Sequence, residues 1–318
     1  MVTGHDPSAG GILVSNHTTR LVLAYAAMCL IWGSTWMGIK IGLRGAPPLT
    51  SIAVRMAIAT TAVWLIVRAL RVPIPRERHF VKLGVALGMF HIVLPYSLVY
   101  FGEQRIPSGQ AAVLYATMPL IVALIARVAL NDPLTPRKLL GIAIGIGGVA
   151  VIFADSWRAG AASGGSEHAV GVACVLGSVC AASIGSVATK KWNRGYHPVV
   201  SLLIPFATGA VAAAVGALIS ENANPLEFNR TTWLSIIYLA LAGSVGAFSL
   251  FFYAIKHLDV TVISYQTFII PVIAVLFGVW LLGETVSPRL GVGAALILAG
   301  IAVATWWPPA RKPSRVHT

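Results

Sequence analysis

The sequence predicts an all-α polytopic membrane protein, with ten transmembrane helices arranged as two inverted five-helix repeats. The first observation behind this is composition. Of 318 residues, 57% are hydrophobic and 10% charged, and the mean hydropathy is +0.81. So much apolar surface calls for lipid as solvent. The apolar runs are continuous rather than alternating, which selects spanning helices of ~20 residues over a β-barrel. The second observation is an internal repeat. Shifted by 152 residues, Pro119 to Val151 falls on Pro271 to Val303 with eleven of 33 positions identical and no gap. Chance in this composition gives roughly one in ten. The third is the placement of positive charge, which sets the relative orientation of the two copies.

Each copy reads as an apolar run holding a proline, a short turn with an acid and a proline, and a second apolar run rich in glycine. Asp132 lands on Glu284, Arg137 on Arg289, Gly141 on Gly293 and Gly148 on Gly300. A weaker echo lies upstream at a shift of 150, where Lys40, Arg44, Gly45, Pro48 and Ser51 fall on Lys190, Arg194, Gly195, Pro198 and Ser201. The expected organisation is a polar tail at 1–20, a first repeat at 21–155, a linker at 156–167, a second repeat at 168–307 and a tail at 308–318. The linker carries Gly160, Gly164 and Gly165.

Ten spans are expected, at about 21–43, 48–70, 80–102, 107–130, 136–154, 168–190, 198–219, 231–255, 260–283 and 288–307. The first is read as a retained helix, because no convincing peptidase site ends it. It carries Trp32, Trp36 and Lys40 at four-residue spacing, hence on one face. These three are candidates for a cavity wall, with an interface anchor and a snorkelling lysine as the alternative. Pro47 and Pro48 open the second span, in which Arg55 lies about two turns deep. A charge there costs on the order of 2–3 kcal/mol at the span centre and must face protein or water. It either bonds neighbouring carbonyls or meets substrate, and in the second case it suits a carboxylate. Its repeat mate is Pro205, so the site is not symmetric.

In the third span His91 is the one histidine near mid-membrane, and no Asp or Glu sits at a helix centre. If proton coupling uses a titrating mid-membrane side chain, His91 is its candidate; a histidine bonded within the bundle is the alternative. Tyr96 and Tyr100 follow, then Gln110 and Tyr115 in the fourth span and Tyr265 and Gln266 in the ninth. Polar tips in lipid need partners and point inward. Of these, Tyr100, Gln110, Tyr115 and Gln266 are assigned to the cavity. Pro119 and Pro271 take matching mid-helix positions and are read as paired hinges, or else static kinks. Gly141 with Gly145, and Gly177 with Ala181 and Gly185, are packing faces for the fifth and sixth spans. Asp132 and Glu284 are turn acids expected to cap the following helix or to pair with Arg137 and Arg289. Trp306 and Trp307 occupy an interface-belt position.

Of the 23 Lys and Arg residues, sixteen fall on the terminal and even-numbered turns, six on the odd-numbered turns, and Arg55 within a span. The bias places both termini in the cytoplasm. Five spans per copy is an odd number, so the second copy starts on the opposite side of the membrane. Many secondary transporters use such an inverted repeat to alternate access around a midplane site.

The residues Trp32-Gly33-Ser34-Thr35-Trp36 with Lys40, then Pro47-Pro48 and Arg55, carry a resemblance. So does the proline, acid and glycine series Pro119, Asp132, Gly141, Gly148 with Pro271, Glu284, Gly293, Gly300. Together they resemble the EamA-like ten-helix carriers of the drug/metabolite transporter superfamily over nearly the whole chain. Asn131-Asp132 departs from the family's Gly-Glu, which the second copy keeps as Gly283-Glu284. The resemblance implies export of amino acids, small metabolites or drugs across the cell (inner) membrane.

The expected function is therefore secondary active transport by alternating access, with a small-molecule substrate, the lipid bilayer as surroundings and protons as a coupling ion. A passive facilitator shares the fold. A membrane-embedded enzyme finds no nucleophile with its base, paired carboxylates or metal-ligand spacing in the spans. No cofactor, metal or nucleic acid is expected. Gly145-Ile146-Gly147-Gly148 lies inside a span and is no nucleotide loop, and the net charge of +13 is spread over loops instead of forming a basic domain. Cys29, Cys174 and Cys180 lie in apolar runs and read as packing residues.

Overall fold

The computed structural model describes residues 11–163, 165–193, 195–221, 228–258 and 260–305. Asp6, Gly164, Arg194, Trp306, Trp307 and the charges of the C-terminal tail lie outside the described residues. The described chain is helical, with no strand among these residues. Its helices are α1 Gly11–Gly42, α2 Pro48–Ala69, α3 Arg78–Glu103, α4 Ser108–Leu130 and α5 Pro136–Ser163. The second half holds α6 Gly165–Trp192, α7 Val200–Ser220, α8 Arg230–His257, α9 Val262–Leu282 and α10 Pro288–Thr305. Nine of these ten, all but α5, pass by length and composition as membrane-crossing helices among the described residues. The chain is a multi-pass membrane protein. Two ends differ from expectation. α1 is helical from Gly11, ten residues early, and the glycine-bearing junction is helical on both sides of residue 164.

The helix ends follow from local chemistry. Pro48 opens α2, where a missing N–H costs nothing. α4 ends on Asn131 (φ 55°) and α9 on Gly283 (φ 69°), which are repeat mates in the same left-handed conformation. Asp132 N–H then bonds Ala126 O and Glu284 N–H bonds Gly278 O, again as mates. Asparagine tolerates this backbone best after glycine, which is why Asn131 can stand where the second half has Gly283.

The packing reports the symmetry. α1 lies on α8 and α9, and α6 lies on α3 and α4, the same relation with the halves exchanged; α2 packs on α7 and α5 on α10. A methyl built on Gly148 would come within 2.6 Å of Gly293 O, and one on Gly141 would strike Gly300 O. Each contact is the image of the other under the repeat shift. They also show α5 and α10 running antiparallel, so the two-fold axis crosses the helices and the repeats are inverted. The expected Gly141 packing face is thus a backbone-to-backbone seam, while Gly145 faces Leu120.

The odd-numbered turns share one end of the bundle: Arg105 bonds Glu167 at 2.6 Å, and Gly45 lies against Thr232. The even-numbered turns share the other, where Tyr196 Oη bonds Glu77 and Lys190 bonds Asp132. These ends are called the odd-turn and even-turn faces below. α3 and α8 widen to π-helical bonding at Gly88–Val93 and Leu239–Gly246, again repeat-equivalent positions. α4 is interrupted at Ala116 and Thr117, just before Pro119, and α9 at Tyr265, ahead of Pro271.

Candidate functional site

These breaks and π segments surround a cavity of about 540 Å³ between the two halves. π-helical turns recur at functional sites because the extra residue re-aims side chains without ending the helix. Here they bring His91 and its repeat mate Gly243 to the cavity wall. His91 packs against Gly185, where a side chain would collide with its ring, and its Nε2 lies 3.3 Å from Ser186 Oγ. Gly243 packs against Thr35 and leaves room for the Arg55 guanidinium. His91 on Gly185 and Gly243 on Thr35 are the same contact in the two halves.

Trp32 sets its ring edge on Phe248 with centroids 5.5 Å apart, and Phe251 lies at 5.6 Å. One turn on, Trp36 meets Tyr115 at 5.4 Å. The cavity therefore has an aromatic wall spanning both halves. Arg55 is 4% exposed. Its Nε–H and Nη2–H donate to Ser244 Oγ at 3.3 and 3.2 Å, its Nη1–H donates to Tyr100 Oη at 3.2 Å, and it lies 4.7 Å over the Tyr96 ring. Three of five guanidinium N–H groups are so engaged, which leaves donors for a ligand. No Asp, Glu or Lys is among the lining residues. A desolvated cation with no acid on the surrounding wall attracts anions, and the fork geometry of guanidinium matches a carboxylate.

Of the residues assigned to the cavity from sequence, Trp32, Trp36, Arg55, His91, Tyr100, Tyr115 and Gln266 line it, as do both prolines, Pro119 and Pro271. Gln110 is buried on α4 outside the lining. Lys40 is also outside. Instead of snorkelling to an interface, its ammonium turns inward and donates to the carbonyls of Glu103 and Ile106, the latter at 2.8 Å. Ser244, Phe248 and Phe251 were not singled out from sequence. A serine beside a glycine within a span is the one local signal that marks Ser244. Cys29 is buried, but Cys174 is half-buried and Cys180 exposed, so packing describes only the first well.

The turn acids act differently from one another. Glu284 accepts from the N–H groups of Ser108 and Gly109 at 2.7 and 3.1 Å, so it caps α4 across the halves rather than α10. Its mate Asp132 takes Lys190 at 2.7 Å, instead of the expected Arg137. That ammonium holds the Asp132 carboxyl below the usual carboxylate range. Lys190 is in turn the mate of Lys40. On the odd-turn face the lysine and the acid both grip the α3–α4 turn, whereas on the even-turn face their equivalents bind each other. A second cross-half cap lies on the odd-turn face, where Glu221 accepts from Leu49 N–H, Thr50 N–H and Thr50 Oγ1 at 2.9, 2.8 and 2.7 Å.

The profile of the EamA-like transporter family matches residues 19–154 and again 169–306. The chain belongs to the EamA-like transporter family. The two matches are the two halves described above, so the chain carries the EamA unit twice. The uncharacterized inner membrane transporter YedA of Escherichia coli (strain K12) is 30% identical over 288 residues, 89% of each chain. A probable terminal-alkyne amino-acid exporter of Streptantibioticus cattleyicolor is 26% identical, over 89% of this chain and 92% of the relative. A chain of a solved crystal structure shares the fold at a TM-score of 0.62 and 23% identity, over 91% of this chain and 97% of its own. The protein is thus an EamA transporter, and its lining residues describe the cavity of one.

Proposed function

We propose that this EamA transporter is a secondary active carrier that exports small carboxylate-bearing solutes with an apolar body, amino acids foremost, by alternating access. The observation that carries the mechanism is the unequal use of equivalent residues. Lys40 and Glu284 hold the α3–α4 turn, while their repeat mates Lys190 and Asp132 hold each other. One repeat unit adopting two arrangements is what an inverted pair needs in order to exchange an open face for a closed one. With both termini cytoplasmic, as the Lys and Arg bias favours, the odd-turn face is extracellular and this state is closed outward.

The solute class follows from the wall. Arg55 supplies the carboxylate fork, and Trp32, Trp36, Phe248 and Phe251 supply apolar contact. A relative described as a probable amino-acid exporter supports the same class. The lack of an acid on the described lining also suits a passive facilitator. Flux in proteoliposomes separates the two. With an imposed pH gradient, radiolabelled phenylalanine or leucine accumulates above its external concentration; equilibration without accumulation supports the facilitator, and absence of any flux across a panel of amino and organic acids overturns the proposal.

A further inference from the structure

We propose that Glu103 is a proton-binding site of this carrier, taking its proton from water when the odd-turn closure opens. The inference rests on the alternating-access reading above and names its coupling group. Glu103 ends α3 with 0% exposure, and neither carboxyl oxygen has a hydrogen-bond partner. No other acid with a described side chain is in that position. Glu77 accepts from Tyr196, Asp132 from Lys190, Glu167 from Arg105, Glu221 from the start of α2 and Glu284 from the start of α4. A carboxylate removed from water with no donor is far costlier than the neutral acid, so the enclosure fits the protonated form.

The charged groups acting on Glu103 are Lys40 from α1, Arg55 from α2 and Glu284 from the turn after α9. Tyr100 stands one turn back on its own helix, α6 places Gly171, Cys174 and Val175 beside Gly102, and α4 begins with Ser108. Lys40 spends its bonds on the Glu103 and Ile106 carbonyls, so the ammonium waits beside the carboxyl without bonding it. When the α3–α4 turn leaves α1, those carbonyls withdraw and water enters. There the carboxylate, held by the freed ammonium, takes a proton from the water of the odd-turn face. Closure returns Lys40 to the carbonyls and seals in the neutral acid, and when the even-turn face is open the proton leaves to the water of the cavity, on whose wall Arg55 and Tyr100 stand. The repeat mate of Glu103 is Ile255, so the device exists once and handles one proton per cycle.

Infrared spectra of the full-length reconstituted protein test this. At neutral pH wild type shows a protonated-carboxyl band that is lost in Glu103→Gln and retained in His91→Ala. No such band in wild type, or one that persists in Glu103→Gln, overturns the proposal. In proteoliposomes, Glu103→Gln keeps phenylalanine-for-phenylalanine exchange but loses accumulation driven by the pH gradient. Undiminished accumulation in Glu103→Gln also overturns it. If wild type moves none of the solutes, the transport reading fails by itself, and the infrared band still decides whether Glu103 holds a proton.

Discussion

Arg55→Gln abolishes transport of carboxylate solutes while the protein stays folded. The substitution removes the cation and the fork but leaves a polar side chain for Ser244 and Tyr100. A charge-assisted bond to a carboxylate contributes ~1.5–3 kcal/mol, which is roughly a 10- to 100-fold loss of affinity. Binding of phenylalanine, read by calorimetry or thermal stabilisation, weakens by that factor. Binding of phenethylamine, the same body without the carboxylate, does not. Arg55→Lys falls between, because a point charge lacks the planar fork and its stacking on Tyr96. Equal losses for both ligands would make Arg55 a packing residue of the cavity wall, its partners Ser244 and Tyr100 being its purpose.

Gly148→Leu unfolds the bundle at a much lower temperature than wild type. The atoms its side chain would meet are Gly293 O at 2.6 Å, Ile297 Cγ1 at 2.9 Å and Ile297 N at 2.9 Å. Two of the three are backbone and cannot rotate away, so α5 and α10 must separate. Overpacking of this kind costs ~1–3 kcal/mol and more where backbone must move, which places it at the upper end. Gly147, one residue earlier, has nothing within 4 Å of an added methyl. Gly147→Ala therefore leaves stability unchanged or raises it by up to ~1 kcal/mol through helix propensity. Thermal unfolding of the two variants in one detergent gives the comparison. Equal melting temperatures would mean that the α5–α10 seam does not hold the halves together.

The features legible in the sequence are those written in local pattern or in the repeat. The spans follow from apolar runs bounded by Pro48, Pro136 and Pro288, and the inversion follows from an odd span count. Trp32, Trp36 and Arg55 were identified because an aromatic pair at helical spacing and a buried guanidinium in a span need an inward-facing explanation. What was not legible depends on contacts far apart in the chain. Glu103 sits in the polar string Glu103-Gln104-Arg105 and reads as a turn acid; its burial depends on packing with elements distant in the chain, among them α1, whose Lys40 bonds its carbonyl. The inward swing of Lys40 depends on carbonyls more than sixty residues away. The repeat aligns Asp132 with Glu284, but it cannot say that one holds a lysine while the other caps a helix. Under the alternating-access proposal that difference belongs to the conformational state, and both states share one sequence. The π segments carry no composition of their own and emerge only from the hydrogen-bond register.

The central claim is that the halves exchange which face they close. Cysteines at Ser108 and Glu284, in a chain whose Cys29, Cys174 and Cys180 are replaced by alanine, place a cleavable link where the odd-turn closure now holds. With the link formed, solute flux through proteoliposomes is lost while phenylalanine still binds, and reduction restores flux. Flux that continues undiminished across the closed link would contradict the account.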